Sequence, residues 1–203
     1  MYFNKRVKMS YRVMIFISVV SLFSQSISSQ TKNEKEERIK ISAFPKKALN
    51  ILEHLPDECK RIKYYKETDN EKLSFEVKFK FDKQHYSVEF SENGDLEDIE
   101  ITTKIEKIEK SARTQIEEYF NQSYTNYKIL KIQEQYIYNS EISTSQFLKN
   151  IFSENKRDID NFEIIAEIKN NKKQSIREFL FNKNGVFLRY RTLKPTSYEH
   201  VLY

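Results

Sequence analysis

Two Asn-Gly pairs hold the only two glycines of this 203-residue sequence. Gly94 lies in FSENGDL and Gly185 in FNKNGVF, and runs of alternating apolar residues flank both. Asn-Gly between such runs is the strongest short-range signal for a β-hairpin, because a type I′ turn needs positive φ at both central residues. The sequence therefore predicts two hairpins, each closed by a type I′ turn at its glycine.

Further strand patterns precede each hairpin. In the first half the clearest is LSFEVKFKF, in which four apolar side chains, from Phe75 to Phe81, alternate with polar ones. In the second half NFEIIAEI shows the same alternation. Two more candidates, RIKYYKE and YKILKIQEQYIY, stand earlier in the two halves. Each half therefore has four predicted strands, with the last two forming the hairpin.

A helix pattern begins each half. Pro45 suits a first helical position and Pro56 prevents continuation, so these two residues bracket the first helix. Thr103 with Glu106 three residues later has the pattern of a capping box at the start of the second helix.

The order helix, strand, strand, strand, turn, strand thus occurs twice. The glycines are 91 residues apart but the matching helix positions only 64, so the second copy carries an insertion near residues 139–161. A short helix over residues 146–152 is predicted inside it. We predict an α+β fold of two tandem repeats, residues 41–103 and 104–193, each a helix packed on a four-stranded antiparallel sheet.

Residues 1–29 have the layout of a secretory signal peptide, with cleavage expected near Ser28 or Ser29. The apolar run, about a dozen residues long, is too short to cross a bilayer comfortably, which takes about 20 residues. An uncleaved N-terminal anchor is the alternative. Residues 30–40 are expected to be a flexible segment, and residues 194–203 a C-terminal tail. The basic residues that open the leader are Lys5, Arg6, Lys8 and Arg12.

Cysteine content and charge limit the location and the partner. The one cysteine, Cys59, excludes an intramolecular disulfide, which favours a bacterial periplasmic or secreted location without disulfide stapling. The net charge of +5 falls to +1 without the leader, and Lys and Glu are interspersed. A nucleic-acid-binding protein normally shows a basic patch or stripe. We therefore expect no nucleic-acid partner and, after cleavage, no membrane span.

Four short motifs of the first half match a known family. They are an apolar-Pro helix start, a Pro-Asp turn, a strand with Val at its third position and an apolar-x-x-x-Gly hairpin, at Phe44-Pro45, Pro56-Asp57, Phe75-Glu76-Val77 and Phe90–Gly94. This unit resembles the PepSY-like domain of exported bacterial proteins, a fold relative of the β-lactamase-inhibitor protein. The second half lacks the Pro at its helix start and carries the insertion. The resemblance covers most of the chain and implies a protein-binding or small-ligand-binding role without catalysis.

No residues with catalytic, cofactor-binding or metal-binding spacing converge in the sequence. His54, His85 and His200 fall on a helix, a strand and the tail, and no two have the i, i+4 spacing of a helical metal site. Two glycines cannot build a Gly-rich phosphate loop, and no G-x-S-x-G motif occurs. We therefore predict no enzymatic activity, no cofactor and no metal.

The candidate partner-binding surface is the sheet face opposite the predicted core in the second half. Apolar side chains ringed by arginines are typical of protein-binding patches, and the last strand is expected to present its Phe and two Arg residues on one face. The alternative is that this face packs against the first repeat or the inserted segment. The corresponding face in the first half, with Glu76, Lys78 and Glu89, is expected to be solvated. The candidate residues are Ile165, Leu180, Phe187, Arg189 and Arg191.

Together these observations predict an exported, non-catalytic module that binds a protein or peptide through a β-sheet face. The alternative is a small-molecule or lipid carrier, in which some of the 28 Tyr and Phe residues line a cavity.

Overall fold

The structure, a computed structural model, describes residues 30–153, 157–170 and 173–194. The predicted signal peptide and the tail beyond Lys194 lie outside the described residues. None of the helices in the described ranges is long and apolar enough to cross a membrane. The helices are α1 (Lys46–Leu52), α2 (Lys110–Ser123) and α3 (Thr144–Phe152). The strands are β1 (Gln30–Lys32), β2 (Glu34–Ile39), β3 (Lys60–Asp69), β4 (Lys72–Phe81), β5 (Gln84–Ser91), β6 (Leu96–Thr103), β7 (Asn126–Ile137), β8 (Asn161–Asn170), β9 (Lys173–Asn182) and β10 (Phe187–Leu193).

All ten strands belong to one sheet, in the order β1-β10-β9-β8-β7-β6-β5-β4-β3-β2. The prediction of two repeats, each with its own four-stranded sheet, is therefore wrong. The predicted strands of both halves are present, but β6 and β7 pair antiparallel, from Asp98↔Ile137 to Thr103↔Ile132. An edge strand leaves a row of unpaired backbone N–H and C=O groups. Pairing β6 with β7 satisfies one such edge from each half and fuses the two sheets.

The N-terminal segment brings the two edges of the sheet together. β1 pairs in parallel with β10, β2 pairs antiparallel with β3, and Asn33 alone separates β1 from β2. The backbone N–H of Asn33 donates to Asp69 Oδ1 at 2.9 Å, which ties this link to the end of β3. Long-range pairing thus places Gln30–Lys32 and Glu34–Ile39 in strands, although this charged segment has no apolar alternation of its own, and the flexibility expected of residues 30–40 stays a prediction. The sheet nearly closes on itself.

Apolar side chains on one face of the sheet pack against all three helices. The first core surrounds Phe44 and Phe90 beneath α1, and the second surrounds Ile116 and Phe120 of α2. The predicted helix inside the insertion is confirmed as α3. Its buried residues join the first core, so the insertion of the second half completes the core of the first half.

The two glycines close hairpins, as predicted, but not through type I′ turns. Their φ angles are +78° at Gly94 and +80° at Gly185, whereas the preceding asparagines do not have positive φ. The N–H of each glycine donates to the carbonyl three residues earlier. This geometry fits a type I turn followed by a left-handed residue, the usual three-residue hairpin loop. The β4–β5 loop instead has positive φ at both central residues, Asp82 and Lys83.

Helix α2 begins later than the sequence pattern indicated. Thr103 ends β6 and Glu106 lies in a short 3₁₀ turn, so the predicted capping box is wrong. The N-cap is Glu109, whose carboxylate accepts hydrogen bonds from the backbone N–H groups of Ser111 at 3.0 Å and Ala112 at 3.4 Å. A short 3₁₀ turn, Ile105–Lys107, therefore lies between β6 and the helix.

Helix α3 depends on the N-cap Ser143. Its Oγ accepts a hydrogen bond from the backbone N–H of Gln146 at 3.2 Å. We expect Ser143→Ala to lower the free energy of unfolding by about 1 kcal/mol, because the first turn of the helix loses its cap. Urea unfolding measures the change. Thr144→Ala, at the next position, is the control and should change stability by less than about 0.5 kcal/mol; equal losses in both variants would contradict the capping role.

Candidate functional site

The sheet face that carries no helix holds a row of carboxylates. Strand register places Glu76 opposite Glu89 and Glu89 opposite Asp98. Although no helix covers them, Glu76 and Glu178 are each only 4% exposed. This face therefore points into the nearly closed sheet, and the expectation that its first half is solvated is wrong. We call it the polar face; its carboxylates are Glu36, Glu67, Glu76, Glu89, Asp98, Glu100, Glu163 and Glu178.

Lys78 neutralises the carboxylates in the first half of the polar face. Its Nζ lies 2.8 Å from Glu36 Oε2 and 3.0 Å from Glu76 Oε2. The hydroxyl of Ser87 on the neighbouring strand donates a further hydrogen bond to Glu76. Burial opposes ionisation of Glu76, but Lys78 together with the hydrogen bonds from Glu67 and Ser87 outweighs it and holds the pKa of this carboxyl below its ordinary value.

Glu178 is the centre of a second ionic cluster, at the seam between the sheet edges. Lys32 Nζ lies 2.7 Å from Glu178 Oε2, and Arg191 Nη2 lies 2.5 Å from Oε1. Arg191 also reaches Asp69 of β3 at 3.0 Å, so one guanidinium joins the two ends of the sheet. Burial disfavours the charged carboxylate, but Lys32 and Arg191 together hold the pKa of Glu178 down at about 2.

The remaining carboxyls of the polar face have no ion pair with a described residue, and their pKa values are raised. Burial, followed by the carboxylate of Glu178, raises the pKa of Glu163 to about 8. Burial, followed by Glu76, raises the pKa of Glu89 to about 7. Burial likewise raises the pKa values of Asp98 and Glu100, each with neighbouring carboxylates adding to the effect. A raised pKa favours the protonated form, in which a buried carboxyl avoids the cost of an uncompensated charge.

Two groups of these carboxylates have the geometry to hold a divalent cation. In each, one oxygen per residue lies within 4.8 Å of the others. Carboxylate oxygens are the ligands that Ca²⁺ and Mg²⁺ prefer. In the first group Lys78 already contacts two members, whereas in the second the amides of Gln133 and Gln135 donate to Glu100 and Asp98. The groups are Glu36 with Glu67 and Glu76, and Glu89 with Asp98 and Glu100.

An open groove of about 710 Å³ lies at one end of the polar face. Its inner part is lined by Glu76, Lys78, Ser87 and Gln133. Its margin is strongly basic, and we call this margin the cationic rim. The rim consists of Arg61, Lys63, Lys80, Lys104 and Lys131, with His85 between them.

Local backbone geometry positions the rim. The pairing of β3 with β4 is irregular between Lys60 and Lys63, and Arg61 within it has φ of +60°. Lys80 lies directly opposite His85 on β5. Burial and then the charges of Lys80, Lys131 and Arg61 lower the pKa of His85, so these groups from four strands share one electrostatic environment. The rim is a convergent cationic site.

The structure distributes the sequence-predicted residues over both faces of the sheet. Ile165, Leu180, Arg189 and Arg191 lie on the polar face. Ile165 is buried in a small apolar cluster with Leu193, Arg189 is exposed, and Arg191 is engaged at the seam. These four share a face but not a common environment.

Phe187 lies on the opposite, helix-covered face. Its ring stacks on Tyr119 of α2 with centroids 4.3 Å apart. The pairing of β10 with β9 is irregular between Phe187 and Arg189, which shifts the alternation of side chains. The expectation that Phe187 shares a face with Arg189 and Arg191 is therefore wrong. Partner binding by the five candidate residues stays a prediction.

Sequence reasoning missed both the carboxylate row and the cationic rim. The signal was present, since each of the strands β4 to β6, β8 and β9 carries at least one Glu or Asp on its polar face, such as Glu76, Glu89 and Glu163. Each strand, taken alone, is typical of a solvated face. Only the closure of the sheet shows that these side chains meet inside it.

Comparisons with known proteins give matches in architecture only. No family model matches this chain, and no curated protein matches it significantly. A DUF2874 family protein from Bacteroides ovatus ATCC 8483 aligns with a TM-score of 0.49 and 7% identity, over 73% of this chain and 86% of that chain. A BLIP-like protein from Bacteroides fragilis NCTC 9343 aligns with a TM-score of 0.46 and 14% identity, over 74% and 89%.

A third solved structure, from Bacteroides eggerthii DSM 20697, is described as a candidate periplasmic protein. It aligns with a TM-score of 0.48 and 9% identity, over 73% of this chain and 88% of that chain. Membership of the PepSY-like family and an arrangement in two tandem copies are not shown by these matches.

Proposed function

We propose that the chain is an exported, non-catalytic module that binds a protein or peptide at the open groove of the polar face. The observation that carries the proposal is the groove itself, about 710 Å³ of open space with a charged margin at the end of a sheet face that no helix covers. Export is supported by the signal-peptide pattern of residues 1–29.

A binding role is favoured over catalysis by the state of the reactive side chains. Burial and then Glu58 raise the pKa of the Cys59 thiol to about 11, so the nucleophilic thiolate is scarce near neutral pH. Within the described part of the chain, His85 has cations rather than a carboxylate or hydroxyl nucleophile as its electrostatic neighbours. An acid, a base and a nucleophile therefore do not converge there.

A polypeptide partner is favoured by the shape and chemistry of the groove margin. Ile105 and Leu130 line the groove and are partly exposed, and Ile62, which lies between the rim residues Arg61 and Lys63 in the sequence, is 42% exposed. Apolar and cationic groups side by side suit contact with a protein surface.

Site-specific photo-crosslinking tests this proposal. A benzophenone amino acid replaces Ile62 in one variant and Glu118, exposed on α2, in the control. In envelope preparations of the native host we expect crosslinks to a defined polypeptide from position 62 and none from position 118. Identical crosslinks from both positions, or none from position 62, would contradict a polypeptide site at the groove.

The alternative function is a small-molecule carrier, which the groove volume supports because ligand sites typically span about 300–1,000 Å³. Native mass spectrometry of the protein purified from its own host would then show a bound compound of fixed mass. A protein that emerges empty under conditions that preserve non-covalent complexes would count against a carrier.

A further inference from the structure

We infer that the cationic rim recognises carboxylates, and that its ligand is an acidic, extended segment of the polypeptide partner. This inference rests on the proposed function and specifies the chemistry of the partner. Arg61, Lys63, Lys80, Lys104 and Lys131 form no ion pair within 4 Å with any other residue that the structure describes.

Some cations elsewhere in the protein have acidic partners. Lys47 pairs with Asp95, and Lys72 with Glu97 at 2.9 Å, both on exposed surface. On the polar face Lys78 contacts two carboxylates within 3.0 Å. What distinguishes the rim is that its five cations surround one groove.

The arrangement of the rim costs stability. Lys60 lies opposite Lys80, Lys80 opposite His85, and Lys63 opposite Lys78. Like charges directly opposite one another on adjacent strands are destabilising. A fold that keeps such pairs at the edge of an open groove has a surface arranged for a ligand of opposite charge.

The interior carboxylates do not neutralise the rim. Glu76, the carboxylate that reaches the groove, is already paired with Lys78 at 3.0 Å. Glu100 lies near enough to Lys131 to interact with its charge, but its carboxyl accepts a hydrogen bond from Gln133, and burial raises its pKa. Glu106 is the other acidic residue of the lining, against five rim cations. The net field at the groove mouth is therefore positive.

The spacing of the charges selects the kind of anion. The rim cations come from β3, β4, β7 and the end of β6, spread around the margin of an open groove. Lysine ammonium groups act as separate point charges, unlike an arginine fork aimed at one phosphate. Inside the groove Lys78 is already paired with Glu36 and Glu76, so the cations that an anion can meet lie at the mouth. A polypeptide segment with several side-chain carboxylates can lie across the mouth of the groove. There it contacts several separate cations without entering the interior.

Fluorescence anisotropy with a labelled hexaglutamate peptide and the purified protein tests the inference. We expect binding that weakens about tenfold between 50 and 200 mM NaCl, with no binding of a hexalysine peptide. The double variant Lys63→Glu/Lys80→Glu should lose at least about tenfold in affinity. A matched control with the same change of charge, Lys46→Glu/Lys110→Glu, alters exposed residues at the starts of α1 and α2 and should bind within about twofold of the original protein.

The melting temperature separates lost recognition from lost folding. Because Lys80 faces Lys60 and His85, the rim variant should melt at the same or a higher temperature than the original protein. If it is unfolded instead, Lys63→Gln/Lys80→Gln provides the same comparison without charge reversal. Equal loss of binding in rim and control variants would overturn the inference.

Two further outcomes would also overturn it, without touching the proposed function. One is displacement of hexaglutamate by inorganic phosphate at equal concentration, which would make the rim a simple phosphate site. The other is crosslinking of a partner at position 62 that the rim variant does not weaken. Absence of crosslinks at position 62 together with tight hexaglutamate binding would instead contradict the polypeptide function while leaving an anion site.

Discussion

Gly185→Ala is expected to lower the free energy of unfolding by about 4 kcal/mol, more than an ordinary surface substitution by far. Gly185 has φ of +80°, a conformation that side chains with a Cβ rarely adopt. A Cβ built there would lie 2.2 Å from the carbonyl oxygen of Ala112, in the first turn of α2. This carbonyl belongs to the helix backbone and cannot rotate away as a side chain can. The hairpin and the helix must therefore move apart to accommodate the new Cβ.

Urea unfolding at constant pH measures this loss, and Gly94→Ala is the natural comparison. At Gly94 the added Cβ would meet Pro45 Cβ at 2.9 Å and Ala48 N at 3.0 Å, which is crowded but less severe. We expect a loss of about 2 kcal/mol there. If Gly185→Ala unfolds within about 1 kcal/mol of the original protein, or loses less than Gly94→Ala, the close approach of hairpin and helix is wrong.

Stability is expected to fall as pH rises from 5 to 8, the reverse of ordinary acid denaturation. The pKa of Glu163 is raised to about 8, so the folded protein holds this proton more tightly than the unfolded chain does. Its contribution is complete below the ordinary pKa of a glutamate and is lost as pH rises through 8. At about 1.4 kcal/mol per pKa unit, Glu163 alone accounts for about 3 kcal/mol between pH 5 and pH 8.

Other buried carboxyls with raised pKa values, Glu67, Asp98 and Glu100, add to this fall in stability. Glu89, with its pKa raised to about 7, acts in the same direction. Glu178, with its pKa lowered to about 2, contributes stability that is lost only as pH falls below about 4.5. The lowered pKa of His85 works in the opposite direction, but its imidazole is exposed and the effect is small.

Glu163→Gln isolates the responsible group. The amide keeps the shape of the side chain and removes its titration beside Glu178, Lys32 and Arg191. Urea unfolding at several pH values should show a slope between pH 5 and 8 that is flatter by about 3 kcal/mol in total. A profile for the original protein that is flat or rising over this range would contradict the buried, protonated state of Glu163.

The local features of this fold could be read from the sequence, but its closure could not. The alternation of apolar and polar residues from Phe75 to Phe81 predicts a strand, and an Asn-Gly pair predicts a turn, because both signals depend on neighbouring residues alone. The pairing of β6 with β7 and of β1 with β10 depends on groups far apart in the chain. The irregular pairing between Phe187 and Arg189 places Phe187 on the opposite face of the sheet from the one that the sequence predicted.

The candidate site follows the same division. The abundance of Glu and Lys is plain in the sequence, but interleaved charges are typical of solvated faces, and no local pattern distinguishes Glu76 from an exposed glutamate. What makes the difference is a neighbour such as Lys78 at 3.0 Å in a closed sheet. Sequence reasoning therefore named binding as the function but placed the surface among residues that the structure separates.

The meeting of the sheet edges at Asn33 has a consequence for the order in which the chain can assemble. Lys32 and Glu178, which contact each other across this junction, are 146 residues apart in sequence. Contacts of such long range form slowly, and β1 cannot find its partner before the last strand exists. Nearly the whole polypeptide must therefore be synthesised before β1 can pair with β10.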